Sequence, residues 1–250
     1  MSITGPGQDD GPVKVGAPVT DITAGILAAM GAAAAYAGKQ KTGLGTRVDT
    51  SLFEAGITHT YWQSAIALAT GQSPTALGSA HPLNAPYQAF PTADGYINIG
   101  AANQRNWLRL LDVIGAPELN EDPRFASNAD RMAHLEALVS VLNGYFRIQT
   151  SEVWLDLLDQ AGVPAGPILS IGEMLEHPQA IARNMVVETA HEHLGPVKGL
   201  GMAVKFHGTE TVESKPPPVH GQHSRAVLSE LGYSDNQIEA LYIRGVIHTS

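Results

Sequence analysis

The sequence predicts a mixed α/β chain in which long helices lead into a smaller α+β unit. Three observations predict it. Residues 22–38 are an almost unbroken run of Ala, Gly and larger apolar residues, which reads as a long, tightly packed buried helix. Tyr87-Gln88-Ala89-Phe90-Pro91, the turn Thr92-Ala93-Asp94-Gly95 and the alternating Tyr96-Ile97-Asn98-Ile99-Gly100 read as a hairpin. Apolar residues then recur every three to four positions over 104–114, 128–146 and 151–161, which predicts three helices.

Along the chain, residues 1–20 lack periodicity, and Pro6, Gly7, Gly11, Pro12 and Pro18 keep them extended. In the first helix Gly25, Ala28, Ala29, Ala32 and Ala35 lack bulk, so another backbone can approach that face. Lys39–Gly45 is a turn. Arg47–Leu52 is a short strand or helix lead-in, and a second helix runs to about Thr70. Residues 71–86 show little regular pattern and are expected to form a long exposed loop, a kind of segment that is often functional. After the hairpin and three helices, 163–168 is expected to be buried and extended. Short helices follow near 171–176 and 178–183, with strands near 184–189 and 197–207. Lys215-Pro216-Pro217-Pro218 is a stiff linker. Helices at about 223–231 and 235–243 end the sequence, with Ser234 as a cap.

Composition narrows the function. The 250 residues are 44% hydrophobic and 16% charged, which suits a packed globular protein. A net charge of -9 argues against a nucleic-acid partner, since sequence-independent binding needs a basic face. With no cysteine, thiol catalysis and Cys-based zinc sites are excluded, and the absence of disulfides fits a cytoplasmic protein. The apolar stretch Ile22–Ala37 is short for a membrane span, and the first ten residues lack a signal-peptide pattern, so no membrane partner is expected.

Asp21 stands at the mouth of the small-residue helix. A carboxylate at a helix start accepts bonds from free amides, and the positive end of the helix dipole favours its ionised form. Held so at the surface, it can act as a nucleophile, although the same position also suits a plain cap. Other signals fail. Lys41-Thr42-Gly43 lacks a Ser-x-x-Lys partner, and no complete Gly-x-Gly-x-x-Gly, Walker loop or Gly-x-Ser-x-Gly is present. His191-Glu192-His193 reads as a solvated turn, and His220 with His223 as surface residues, so no metal is expected.

Several segments, in order, resemble class III CoA-transferases, the group of formyl-CoA and carnitine CoA-transferases and α-methylacyl-CoA racemases. They are residues 12–25 (Pro-Val-Lys-Val-Gly-Ala-Pro-Val-Thr-Asp-Ile-Thr-Ala-Gly) and 41–52 (Lys-Thr-Gly-Leu-Gly-Thr-Arg-Val-Asp-Thr-Ser-Leu). To these are added 78–97, Asp-Pro-Arg-Phe at 122–125, Ala-Gly-Val-Pro-Ala-Gly-Pro-Ile at 161–168 and the helix start at 232–238. The resemblance implies an α/β class III CoA-transferase fold (truncated), long helices linking part of a large domain to a smaller α+β domain. Residues 1–86 would be a remnant of the large domain with the catalytic helix and a linker helix, 87–190 the small domain, and 191–250 a return to the large domain. The family's N-terminal Rossmann-like half would precede this sequence.

The resemblance makes Asp21 the nucleophile. It implies transfer of CoA from an acyl-CoA to a carboxylic acid through an aspartyl-CoA thioester, with no cofactor beyond the CoA thioester substrate. The family's active-site loop corresponds to residues 76–88, which makes Gly78, His81, Asn84 and Gln88 the expected substrate-binding residues. Racemase-like relatives place a Glu where this chain has Gln88. An amide cannot shuttle protons, so Gln88 favours transfer over racemisation. Read without the family, Gln88 is an outward residue of a strand. The family also implies an interlocked homodimer. A non-enzymatic subunit is the remaining alternative.

Overall fold

The computed structural model describes residues 2–7, 11, 13–208 and 215–248; Met1 and Pro12, which enter the sequence readings above, lie outside them. Two compact units result, Met1–Ile168 and Leu169–Ser250.

The first unit opens with α1, Val19–Thr42. It exceeds the expected 22–38 at both ends: Val19 and Thr20 join the first turn after Pro18, and good helix formers carry it to Gly43. Gly43 takes a left-handed φ of 74°, and its N–H bonds to the Lys39 carbonyl at 2.8 Å. The chain then runs extended through Val48. The expected close approach falls at Gly31, where an added Cβ would lie 2.7 Å from Val48 Cγ1, whereas Gly25 faces open space.

One helix was expected to reach Thr70, but there are two: α2, Leu52–Thr58, and α3, Tyr61–Thr70. Thr60 causes the break. Its hydroxyl donates to the Ile57 carbonyl at 2.8 Å and pairs with Ser64 Oγ, so the side chain competes with helical bonding. Ser51 caps α2 by accepting from the Glu54 amide.

No residue of α1 is buried, contrary to the expectation of a buried helix. Ile22, Ile26, Met30 and Tyr36 are all more than half exposed. The composition was read correctly as apolar, but α2 and Val48 cover only part of the cylinder. Among the described residues this one helix is long and apolar enough to cross a membrane by length and composition, a test that core helices also pass.

Residues 87–168 hold the core. β1 (Tyr87–Pro91), β2 (Tyr96–Gly100) and β3 (Ala165–Pro167) form an antiparallel sheet with β2 central, Tyr87 opposite Gly100 and Ile97 opposite Pro167. Against it lie α4 (Gln104–Ile114), a 3₁₀ turn at Pro117–Asn120, α5 (Asn128–Ala133), α6 (Leu135–Phe146) and α7 (Ser151–Gln160). The expected 128–146 helix is therefore broken at His134. Phe90, Ile97, Ile99, Trp107, Leu110, Phe125, Leu142 and Phe146 are fully enclosed. Phe146 contacts Phe90 and Trp154 with ring centroids 5.2 and 5.3 Å apart. In the 163–168 segment only Val163 is buried, so the expected buried strand is a short, mostly exposed edge.

The second unit contains α8 (Ile171–Glu176), α9 (Pro178–Ala182), the hairpin of β4 (Val186–His191) and β5 (Gly195–Leu200), then α10 (Ser224–Glu230) and α11 (Asp235–Ile243). Strand β5 stops at Leu200, short of the expected 207. The cap reading of Ser234 holds, with Gln237 Oε1 accepting from the Ser234 amide at 2.8 Å.

Candidate functional site

Asp21 is the third residue of α1, not its cap: the helix begins at Val19, and Pro18 precedes it without any side-chain cap. The carboxylate is exposed, and its Oδ2 accepts from the Thr20 hydroxyl at 3.1 Å. It thus sits in the first turn, where the helix dipole favours negative charge, with free access from solvent. Thr23 Oγ1 lies 2.7 Å from His59 Nε2, which ties this turn to the junction of α2 and α3. That turn is held in place while the carboxylate stays open to an incoming electrophile.

The loop between α3 and β1 is irregular, as expected, yet well anchored. The Gly78 amide donates to the Gly5 carbonyl at 2.9 Å, and an added Cβ on Gly78 would lie 3.3 Å from the Pro6 oxygen. With φ at 61°, the position suits glycine. The His81 amide donates to the Tyr87 carbonyl at 2.9 Å, closing the loop on itself. His81 Nδ1 accepts from the Leu83 amide at 3.1 Å, and the Asn84 amide group lies 3.3 Å away. Its ring stacks on Tyr87 at 5.1 Å and meets the Trp62 edge at 5.2 Å.

Helix α5 fixes the end of this loop, a function the sequence did not reveal. Asn128 Oδ1 accepts from the Ala85 amide while its Nδ2 donates to the Leu83 carbonyl, both at 3.0 Å. Arg131, fully enclosed, donates to the carbonyls of Ala85 (2.7 Å), Phe125 (3.0 Å) and Ala102 (2.9 Å) and to Gln104 Oε1 (3.2 Å). Its guanidinium carbon lies 4.9 Å from the Trp107 ring centroid. Burial pushes the Arg131 pKa down, and the neighbouring Asp130 opposes that shift.

The predicted substrate residues divide between two cavities. Gly78 and Gln88 line one of about 660 Å³, together with Ser79, Glu136, Ser140 and Asn143. Asn84 lines another of about 510 Å³, beside Tyr87, Asn103, Asn106 and Asn128. His81 joins the second group through Asn84 and Tyr87. The Asp21 side chain bonds to Thr20 and to none of the other four predicted residues.

The expectation that Gln88 faces outward is corrected. In β1 it shares the inward face with Phe90 and is only 9% exposed. Among the described residues its side-chain amide has no protein hydrogen-bond partner but is not one of the enclosed unpaired atoms, whereas Asn143 Oδ1, on a residue that lines the same cavity, is enclosed without a donor. An enclosed acceptor left unpaired costs about 1–3 kcal/mol. Ser140 and Asn143 were missed because they lie on a strongly apolar helix. Val139 and Asn143, four residues apart on one face, carried the signal.

Among the described residues no cluster of three or more His, Cys, Asp or Glu is placed to hold a metal. The solvated-turn reading of 191–193 is corrected at its first residue: His191 ends β4 and is buried, while the turn is 192–194, whose His193 and Leu194 amides donate to His191 Nδ1.

Comparison with known proteins agrees with the fold. The family model of CoA-transferase family III matches residues 1–224, and the chain belongs to that family. It is 34% identical over 248 residues to mouse succinyl-CoA:glutarate CoA-transferase, covering 99% of this chain and 57% of that protein. It is 36% identical over 211 residues to acetyl-CoA:oxalate CoA-transferase of Acetobacter aceti, covering 83% of this chain and 52% of the other. Among solved structures, a CAIB/BAIF family protein from Brucella suis superposes with a TM-score of 0.76 at 32% identity, covering 92% of this chain and 60% of that one. The chain spans less than two thirds of the length of these relatives.

Proposed function

We propose that this chain takes part in moving CoA from an acyl-CoA thioester to a free carboxylic acid, with Asp21 as nucleophile. The observation that carries the reading is the exposed Asp21 carboxylate in the first turn of α1, within a chain whose relatives are named CoA-transferases. Asp21 attacks the donor thioester carbonyl; the C–S bond breaks, giving an acyl-aspartyl anhydride and CoA thiolate. The thiolate then attacks the aspartyl carbonyl, releasing the donor acid and leaving an aspartyl-CoA thioester. The acceptor carboxylate attacks this thioester, and returning thiolate takes up the acceptor acyl group and frees Asp21. Succinyl-CoA as donor and a dicarboxylic acid such as glutarate as acceptor follow the substrates named for the mouse relative. Gln88 has no titrating proton, which supports transfer over racemisation. The exposed apolar residues of α1 support a homodimer in which a second copy covers them.

The test is mass spectrometry of the protein after incubation with succinyl-CoA, alongside a transfer assay to glutarate. A CoA adduct on the Asp21 peptide is expected. Asp21→Ala should abolish the adduct and lower transfer at least about a thousandfold, as loss of a covalent nucleophile does. Near-normal transfer by the variant would overturn the assignment.

A further inference from the structure

We propose that Asn128 is a positioning residue for His81: it clamps residues 83–85 so that the imidazole keeps its Nε2–H form and offers a substrate oxygen a fixed hydrogen-bond donor. The donor role rests on the CoA-transferase reading; the clamp rests on geometry alone.

The clamp follows from the chemistry of a primary amide, which carries both acceptor and donor and can therefore pair with a backbone as a peptide group does. Asn128 Oδ1 accepts from the Ala85 amide and Nδ2 donates to the Leu83 carbonyl, both at 3.0 Å. These two bonds fix the backbone on either side of Asn84. They come from α5, so the segment is held by a distant part of the sequence and not by its own turn alone. Ala85 is tied a second time, its carbonyl accepting from Arg131 Nε at 2.7 Å.

The clamped segment in turn fixes His81. A backbone N–H can only donate, so the 3.1 Å bond from the Leu83 amide makes His81 Nδ1 an acceptor and leaves the proton of the neutral ring on Nε2. The Asn84 amide nitrogen lies 3.3 Å from the same Nδ1 and donates to it as well. Tyr87 stacks on the ring with planes 11° apart, and Trp62 meets it edge-on, so the ring plane is also held. Nε2 has no partner among the described residues, which leaves its N–H for a ligand.

The ring shares its support with the nucleophile candidate. Trp62, which touches His81, stands three residues after His59, and His59 Nε2 lies 2.7 Å from the hydroxyl of Thr23, two residues after Asp21. The Asp21 turn and the His81 ring therefore both rest on the 59–62 segment. A neutral ring whose lone pair is already occupied is a donor and not a base, which suits a reaction that passes acyl groups instead of protons.

The test is Asn128→Asp, which keeps the side-chain shape and suits the first turn of α5. One oxygen still accepts from Ala85, but the other now faces the Leu83 carbonyl without a proton to donate. Imidazole ¹H–¹⁵N correlations of the labelled chain are recorded at about pH 8, above the ordinary imidazole pKa of about 6.5. Leu83 amide exchange and transfer from succinyl-CoA to glutarate are measured alongside. The parent is expected to carry the His81 proton on Nε2 alone. In the variant Leu83 should exchange at least about tenfold faster, the His81 Nδ1 resonance should move towards that of a free ring, and turnover should fall at least about tenfold, as for a misplaced group. His177 and His191, whose Nδ1 atoms accept from Gln179 and from His193 and Leu194, should keep their resonances and serve as internal controls. A parent His81 protonated at Nδ1, or a variant with unchanged Leu83 exchange and ring signals, would overturn the clamp. A variant that shows both changes yet transfers as fast as the parent would overturn the donor role. A parent with neither transfer nor an Asp21 adduct would sink the transferase reading and the donor role with it, while the ring spectra still decide the clamp.

Discussion

The helices of residues 19–70 and the α+β body of 87–168 belong to one compact unit, yet they treat apolar surface in opposite ways. The body encloses Phe90, Ile97, Trp107, Phe125 and Phe146 completely. The helices leave Ile26, Met30, Phe53, Tyr61 and Leu68 more than half exposed, and bury only Ala55. An exposed apolar patch of that extent marks a surface made for contact. The difference separates a part whose stability comes from its own core from a part whose stability depends on what covers it. The nucleophile candidate Asp21 lies on the second part, and the groove around Gln88 opens between the 76–80 loop and the first.

The sharpest way to break the comparison is native-state hydrogen exchange. Amides of α4 and α6, packed around a closed core, should open only with global unfolding, while central amides of α1 in a dilute chain should exchange at least about a hundredfold faster. If a second copy covers α1, raising protein concentration should slow exchange there and leave α6 unchanged. Equal protection of α1 and α6 at every concentration would sink the distinction.

A large effect on stability is expected at Arg131. Replacing it by Met keeps much of the volume but leaves the carbonyls of Ala85, Ala102 and Phe125 and the Gln104 amide oxygen without their donor. The expected destabilisation is about 3–5 kcal/mol, measured by urea unfolding, because each enclosed acceptor left unpaired carries a desolvation cost. The Ala85 bond also anchors the loop that leads to Gln88, so loop amides should lose exchange protection beyond the global change. A variant as stable as the parent would show that the body does not depend on this polar staple.

How far these features were legible in the sequence follows the same division. The hairpin at 87–100 and the helices of the body rest on local periodicity, and the structure places them within a residue or two, apart from the break at His134. Breaks at Thr60 and His134 were missed because each is made by a side chain bonding to a nearby carbonyl, while the apolar period runs on through both. Gln88 was misread although strand parity puts it on the face of Phe90; residue polarity was weighed above register. Arg131 reads as a surface residue until four distant partners converge on it. Helix α1 was legible as a helix but not as an exposed one, since burial depends on neighbours that composition does not name.

The smallest effect is expected at Asp94, which joins the β1–β2 turn to the start of α7. Thr150 precedes that helix without a side-chain cap bond, and Asp94 Oδ1 takes over by accepting from the Ser151 amide at 2.8 Å and the Thr92 hydroxyl at 3.0 Å. The Ser151 amide bond is the main cause that holds the Asp94 carboxyl below its ordinary pKa; desolvation opposes it, and the Thr92 and Ser151 hydroxyls and its own backbone amide add smaller help. A carboxylate whose pKa is lowered by folding stabilises the fold fully above its unfolded pKa of about 3.9, and that contribution is lost as pH falls through the lower folded value. Asp94→Ala should therefore lower Tm modestly at pH 7, and the gap from the parent should narrow below about pH 4 as the parent loses its ionised cap. A gap that stays constant from pH 7 to pH 3 would mean that the charge contributes nothing, and that Asp94 serves the α7 terminus only by its shape.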